Sequence, residues 1–468
     1  MNKWIIPILI PAITAAAGLV FLSLWVHADT PLALEIRLPD ETRVTVAEDE
    51  NAAPIAELTT LIVSDGTPAD IPGEWSRFRG TNYDNISIDD TVTLARQWPA
   101  SGPPVLWSLE MGEGYAGAAV RNGRVFVLDY DRDQQLDNLR CFSPADGKEI
   151  WRFTYPVKVK RNHGMSRTVP AVTDEYVVSL GPKCHVACLD PNSGQMHWML
   201  DLVQDFKTTV PLWYAGQCPL IDGDNAIIAP GGDPLMMAVD LATGEIVWRT
   251  PNAQDWQMTH SSIVPMEFAG KKMYVYCGHR GVVGVSADDG SILWETTDWF
   301  IRSATVPTPV VIGEGRIFFT GGYEAGSVMM QLKETDAGAI KAEVLYRLPV
   351  ETFGAEQQTP IFYHGYLYGV GQHDDQLICL DPDGKIVWRS GSENQFHLGP
   401  FMIANGLIYI MNDSGLLTLA EATSAGYRQL AQTQVLHGPD SWGPMALVSG
   451  RLIVRDLTQM VCLDVTER

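Results

Sequence analysis

Basic side chains are scarce in this chain. Lys and Arg total 33 against 56 Asp and Glu, a formal charge of -23 over 468 residues. A surface this acidic repels phosphate backbones and anionic lipid headgroups, which excludes nucleic acid as a partner. Cysteine is sparse and odd in number, seven in all, so no complete disulfide framework is implied, and no C-x-x-C-H run is present to attach haem. The first cysteine is Cys141, which rules out a lipidated cysteine near the N-terminus. The ten histidines are scattered about one per repeat, in no Ser-His-Asp or zinc-ligand arrangement. Helical periodicity is nearly absent beyond the N-terminus. What remains is a globular composition, 46% hydrophobic and 19% charged, long enough to bury a large core.

The N-terminus has one lysine, Lys3, followed by an uncharged, mostly apolar run from Trp4 to Val26. As a helix that run would reach roughly 30 Å, enough for a bilayer and longer than a usual signal-peptide core. An uncleaved membrane anchor is the favoured expectation, and cleavage after Ala28 at Val26-His27-Ala28 is the alternative. Either way, everything after Asp29 is exported, because Lys3 holds the short end inside. Between Asp29 and Glu74 lie eleven acidic residues against Arg37 and Arg43, with prolines at 31, 39, 54, 68 and 72. Residues 1–28 are thus expected to be a signal anchor or signal peptide. Residues 29–74 are expected to be an acidic extended linker with at most a strand or two.

From there on one phrase recurs. LDPNSGQMHW ends at Trp198, VDLATGEIVW at Trp248, VSADDGSILW at Trp294 and LDPDGKIVW at Trp388, and Gly147 and Trp151 share the same four-residue offset. The Asp-Pro-Asn-Ser-Gly letters are turn chemistry: Pro presets φ, Asp and Asn bond back to the backbone, and Gly takes the left-handed position. Alternation resumes after the turn, as in Glu245-Ile246-Val247-Trp248, the period of a half-buried strand. Two more apolar runs precede each phrase. Four short strands per period of about 47 residues predict a propeller blade.

The tryptophan slot falls at 107, 151, 198, 248, 294, 342 or 346, 388 and 430, which counts eight blades. The chain stops where the eighth phrase should continue, so Val105 to Leu109 is expected to supply the missing outer strand and lock the ring. Trp107, Trp151, Trp198, Trp248, Trp294 and Trp388 are expected to be blade-docking wedges rather than ligand-stacking groups. Cys141, Cys188, Cys379 and Cys462 share one slot that Ala238 and Gly284 fill elsewhere, a cramped position where a thiol acts as a small apolar group.

The pattern resembles the tryptophan-docking repeat of the pyrroloquinoline quinone (PQQ)-binding-like β-propellers over about Trp75 to Arg468. The lead-in WSRFRGTNYDNIS at residues 75–87 is similar to the opening of exported propellers of that family. The resemblance implies an all-β, eight-bladed propeller over residues 75–468. The family includes quinoprotein alcohol dehydrogenases and non-enzymatic propellers such as the lipoprotein of the outer-membrane β-barrel assembly machinery. Its enzymes hold PQQ with calcium ligands, a stacking tryptophan and two adjacent cysteines, and no Cys-Cys pair occurs here. Function does not follow from fold.

Three further features bear on chemistry. Gly112, Gly114 and Gly117 match a dinucleotide fingerprint in letters, but the strand-like AAVRNGRVFVL follows where a helix is required. Asp129, Asp131 and Asp133 have calcium-loop spacing, but Gln134 and Arg140 stand where Gly and Glu belong, and a solvated loop is expected. The third is the set of crossings between blades, which should line one mouth of the channel: Arg161, His163, Arg167, Trp213, Trp256, His260, Trp299, Arg302, Glu356, His397, His437 and Trp442. Aromatics and cations converging there suit a small anionic or carbohydrate-like ligand or a protein segment. The expected function is a monomeric, membrane-anchored, non-catalytic binding or assembly scaffold that uses no cofactor and serves a protein or small ligand in the cell envelope. The alternative is a quinoprotein oxidoreductase with PQQ and calcium.

Overall fold

The computed structural model describes residues 15–20, 22–23, 54–88, 91–160 and 165–467. The chain divides into two units, residues 1–53 and 54–468. In the first, the described residues 15–20 and 22–23 are helical. Among the described residues no helix is long and apolar enough to cross a membrane; most of the anchor expected over residues 4–26, and residues 29–53 of the linker, lie outside them.

The second unit is an all-β ring of eight blades, as the repeat count predicts. Seven blades run in chain order: blade 1 spans 119–156, blade 2 171–201, blade 3 220–250, blade 4 264–296, blade 5 310–348, blade 6 361–389 and blade 7 401–434. Blade 8 takes its three inner strands from 446–464 and its outer strand from Val105–Glu110. Each blade is an antiparallel meander, and the first strands of neighbouring blades touch, which puts them innermost. Burial follows position. Middle strands such as Val177–Leu180 and Leu377–Leu380 are buried on both faces and read as apolar runs, whereas outer strands such as Ile246–Thr250 alternate around one buried tryptophan.

The recurring phrase builds the contact between blades. Trp198 on the outer strand of blade 2 is buried and donates its indole N–H to Leu241 O in the turn of blade 3 at 2.8 Å. The glycine of that turn, Gly244, has φ +76°, and a Cβ there would lie 2.8 Å from the same indole. Glycine is therefore required twice, once for the left-handed turn and once for the approaching ring. Trp107 over Gly147 and Trp151 over Gly194 repeat the arrangement, donating to Pro144 O and Pro191 O.

Directly across the ladder from each tryptophan stands the small-residue slot: Cys141, Cys188, Ala238, Gly284, Cys379 and Cys462 pair with Trp151, Trp198, Trp248, Trp294, Trp388 and Trp107. The large ring and the small partner share one layer of fixed thickness. Where the wedge shrinks, the partner grows. Tyr346 pairs with Met329 in blade 5, and Ala431 pairs with Leu419 in blade 7. Of the two candidates for blade 5, register selects Tyr346, whose hydroxyl donates to Pro382 O. In blade 7 the slot belongs to Ala431 rather than Leu430: Leu419, next to the same bulge that the other blades carry, pairs with Ala431, five residues after Gly426 instead of four. Blade 4 departs from the rule: a Cβ on Gly338 would meet only a Glu334 side-chain oxygen, and the Trp294 N–H turns to Met273 Sδ instead.

Residues 54–74 pack along the ring. Thr60–Val63 adds a fifth strand to the outer edge of blade 1, antiparallel to Trp151–Thr154. The lead-in at 75–88 then turns into the ring, and it shapes the candidate site.

Candidate functional site

The lead-in stitches together the inner strands at one end of the channel. Ser449 of blade 8 bonds Pro72 O, Trp75 exchanges two backbone bonds with Val120 of blade 1, and Val172 of blade 2 donates to Ser76 O. Arg77 reaches Ile221 O of blade 3. Asn85 bonds Phe401 O, and Ile86–Ser87 runs parallel to Ile403–Ala404 of blade 7. Arg79 is the keystone. It is 5% exposed, and its guanidinium donates to four carbonyls, Tyr83 O, Asp84 O, Thr359 O and Pro360 O. Burial lowers its pKa to about 10, still cationic at neutral pH. Arg79, Tyr83 and Asn85 all sit at positive φ, a strained path held by these contacts.

Above this floor lies a cavity of about 310 Å³. Phe78, Arg79 and Asn85 line its base, and the crossings between blades line its sides. Of the residues expected at the mouth, Arg167, Trp213, His260, Glu356 and Trp442 are brought together there. Trp256, Trp299, Arg302 and His397 do not line it. Trp256 is 2% exposed and lies over Gly278 and Gly281, and Trp299 is 4% exposed in the core shared with blade 5. Arg302 is exposed, and His397 pairs with Asp375 at 3.0 Å. On their crossings Trp256 and Trp299 turn away from the cavity and pack against the blades instead. Arg161 and His163 lie outside the described residues.

The cavity also holds residues that the sequence did not mark: Tyr115, Cys218, Tyr323, Gln357 and Gln358, besides the lead-in side chains. Tyr115 sits inside the Gly112 to Gly117 run. Those glycines serve close packing, since a Cβ on Gly112 or Gly117 would meet Tyr130 O or Pro444 O within 2.7 Å. The strand Ala119–Arg121 follows, as expected for a false dinucleotide match.

Two aromatic pairs face each other across the ring. Tyr115 and Trp442, from the crossings on either side of blade 8, have centroids 4.9 Å apart. Trp213 stacks on Tyr323 of blade 5 at 6.3 Å and 12°, with His260 beside it. Carboxylates fix the first pair, because the Tyr115 hydroxyl donates to Asp440 and the Trp442 N–H to Asp413. Arg167 lies 5.8 Å from the Tyr115 ring centre, and burial lowers its pKa to about 10. Burial, and then the Arg167 charge, push His260 down to about 3, so its imidazole is neutral. Glu356 is raised by burial and then by Asp375.

The remaining chemistry candidates are structural. All seven cysteines are buried free thiols. Burial pushes Cys218 up to about 11 and Cys188 up to about 12, which disarms them as nucleophiles. Asp129, expected in a solvated loop, is instead 1% exposed. It accepts bonds from Arg140, Asn138 and Gly112 N, and those charge-assisted bonds account for its burial. Among the described residues no three His, Cys, Asp or Glu side chains converge closely enough to hold a metal ion.

Comparison with known proteins agrees with this architecture. Among solved structures, BamB from Moraxella catarrhalis superposes with a TM-score of 0.54 at 11% identity, covering 77% of this chain and 99% of that one. A europium-containing methanol dehydrogenase superposes at 0.59 with 12% identity, covering 82% and 89%. Such likenesses show the fold. In sequence, the outer membrane protein assembly factor BamB of Alteromonas naphthalenivorans is 21% identical over 306 residues, 60% of this chain and 68% of that protein. That of Yersinia pestis is 21% identical over 215 residues, 42% of this chain and about half, 52%, of its own length. The family model described as outer membrane protein assembly factor BamB matches residues 135–383, more than half of the chain, and the chain belongs to that family of propellers.

Proposed function

We propose that this chain is a non-catalytic binding scaffold of the cell envelope, exported and held to a membrane by residues 4–26, that receives a protein partner on the mouth face of the ring. The observation that supports it best is the asymmetry of the channel. The lead-in occupies one end, while partly exposed Trp213, Tyr323 and Trp442 surround the cavity at the other. Phe300, 46% exposed on the crossing into blade 5, extends that apolar face. Relatives named as outer membrane assembly factors favour a partner in the envelope. The test is a photo-crosslinking residue at Phe300 or Tyr323, with Val63 on the outer edge of blade 1 as control. Adducts in native envelope from the first two and not from Val63 are expected; adducts from Val63 alone would overturn the assignment of the face.

The alternative, a quinoprotein oxidoreductase, draws support from the likeness to the methanol dehydrogenase fold. The donors present do not fit it. No cluster of metal-ligating side chains stands among the described residues, the cysteines are singly buried, and Arg79 is saturated by backbone carbonyls. Equilibration with PQQ and calcium followed by a dye-reduction assay separates the two readings, and reduction would favour the enzyme.

A further inference from the structure

The cavity has two chemically different ends. Arg167 stands on the crossing from blade 1 to blade 2, and Glu356, Gln357 and Gln358 stand on the crossing from blade 5 to blade 6, half a turn of the ring away. Arg167, with neutral His260 two crossings on, supplies donors. The opposite side supplies acceptors. Gln357 donates its amide to Leu398 O and Gln358 to His397 O and Gly399 O, which leaves their amide oxygens as acceptors on the same crossing as the Glu356 carboxyl, itself accepting from Gln372. Between the ends stand the Tyr115–Trp442 and Trp213–Tyr323 pairs, whose ring faces suit a flat body. The volume of about 310 Å³ is at the small end of ligand sites and suits one small ring with its substituents.

From this arrangement we propose that the cavity is a binding site for a single-ring hydroxy acid, its carboxylate on Arg167 and His260 and its hydroxyls on Glu356, Gln357 and Gln358. A guanidinium holds a carboxylate through two parallel hydrogen bonds, and carboxyl and amide oxygens accept from hydroxyls. A sugar acid and a hydroxylated aromatic acid share this chemistry. The site goes beyond the partner-binding reading and does not depend on it, because the cross-links from Phe300 report the rim alone.

The experiment is calorimetric titration of the full-length protein at pH 7 with D-glucuronate and 4-hydroxybenzoate, against D-glucose and phenol, which lack the carboxylate, and benzoate, which lacks the hydroxyl. At least one acid is expected to bind ~tenfold or more tightly than its counterparts, the ratio one charge-assisted contact supplies. Which acid does so identifies the source. In Arg167→Gln the preference over the neutral counterpart should disappear; in Glu356→Leu the preference for the hydroxyl should. Quenching of tryptophan fluorescence by the bound acid reports occupancy beside Trp213 and Trp442. Three outcomes overturn the proposal: acids that bind no better than their counterparts, an Arg167→Gln protein that keeps the preference, or a cavity that takes PQQ and neither acid. Where Arg167→Gln fails to fold, the comparison of ligands on the unaltered protein decides.

Discussion

Trp107 stands directly across the ladder from Cys462, so the first strand of the ring and nearly the last residues of the chain form one blade. Trp107 also donates to Pro144 O at 3.0 Å and covers Gly147 of blade 1. It closes blade 8 and docks that blade on its neighbour at once. Trp107→Ala should therefore cost about 3–5 kcal/mol, the usual range for a buried tryptophan, and deletion of residues 100–110 should leave the inner strands of blade 8 with an open edge. Thermal melts check both, and a deletion that melts like the intact protein would mean that the ring does not depend on this closure.

Gly244 and Gly338 form an internal control. Both sit at positive φ, +76° and +75°, but a Cβ on Gly244 meets the Trp198 indole at 2.8 Å, and one on Gly338 meets only a Glu334 side-chain oxygen at 3.9 Å. Alanine at 338 should cost about 1–2 kcal/mol, the penalty of a left-handed alanine. Alanine at 244 should cost that and a displaced blade contact besides, about 3 kcal/mol or more. Equal losses in denaturant titrations would show that the wedge tolerates displacement.

The ring was legible in the sequence because its physics is local and repeated. A turn glycine, a tryptophan four residues later and a small residue across the ladder occur together in blades 1, 2, 3, 4 and 6, so the letters recur. The slot for Cys141, Cys188, Cys379 and Cys462 and the closing strand at Val105 both follow from that register. The site was only partly legible, because it arises from single residues on separate crossings that share no spacing. Arg167, Trp213, His260, Glu356 and Trp442 could be picked by type. Nothing in the letters distinguished inward Trp213 from Trp256, which packs over Gly281, since the two differ only in how each crossing turns. Tyr323 was invisible for another reason: it belongs to a hairpin of blade 5, and it meets Trp213 only because the ring brings blades 3 and 5 to one axis. The floor formed by Arg79 depends on carbonyls of blade 6 that no sequence spacing reveals.

Asp137 gives the fold a pH dependence. Its carboxyl is 1% exposed and accepts the hydroxyls of Ser166 at 2.5 Å and Tyr155 at 2.7 Å. Burial raises its pKa to about 7, with Ser166, Tyr155 and the His185 charge opposing and Asp129 assisting. The folded state therefore holds a proton that the unfolded chain releases near pH 4. Its contribution is fully present below that value, falls as pH rises through the window from about 4 to 7, and levels off above it. The slope is at most about 1.4 kcal/mol per pH unit. Asp137→Asn keeps an acceptor for one hydroxyl and cannot ionise. Relative to unaltered protein, it should gain stability steadily between pH 5 and pH 7, measured by denaturant titration at fixed ionic strength. Parallel curves for the two proteins would place the titration elsewhere.

Arg79 determines whether the lead-in stays in the ring. Its planar guanidinium reaches Thr359 O and Pro360 O of the crossing into blade 6 while holding Tyr83 O and Asp84 O of its own segment. A lysine ammonium is a single point on a flexible stem and cannot meet carbonyls on both sides, so Arg79→Lys should behave as a loss rather than a conservative change. Arg79→Ala leaves the carbonyls without their donor in a buried place, at a cost of about 1–3 kcal/mol for each buried group left unmet. Both variants should release residues 75–88 before the blades melt, because the ladders within each blade do not use this side chain. Limited proteolysis should therefore show new cleavage at Tyr83 or Phe78 with the blades still intact, and the cavity, having lost Phe78 and Arg79 from its base, should open at both ends. Protection of the lead-in equal to that of unaltered protein, at equal melting temperature, would assign its retention to the backbone bonds of Trp75 and Ile86 alone.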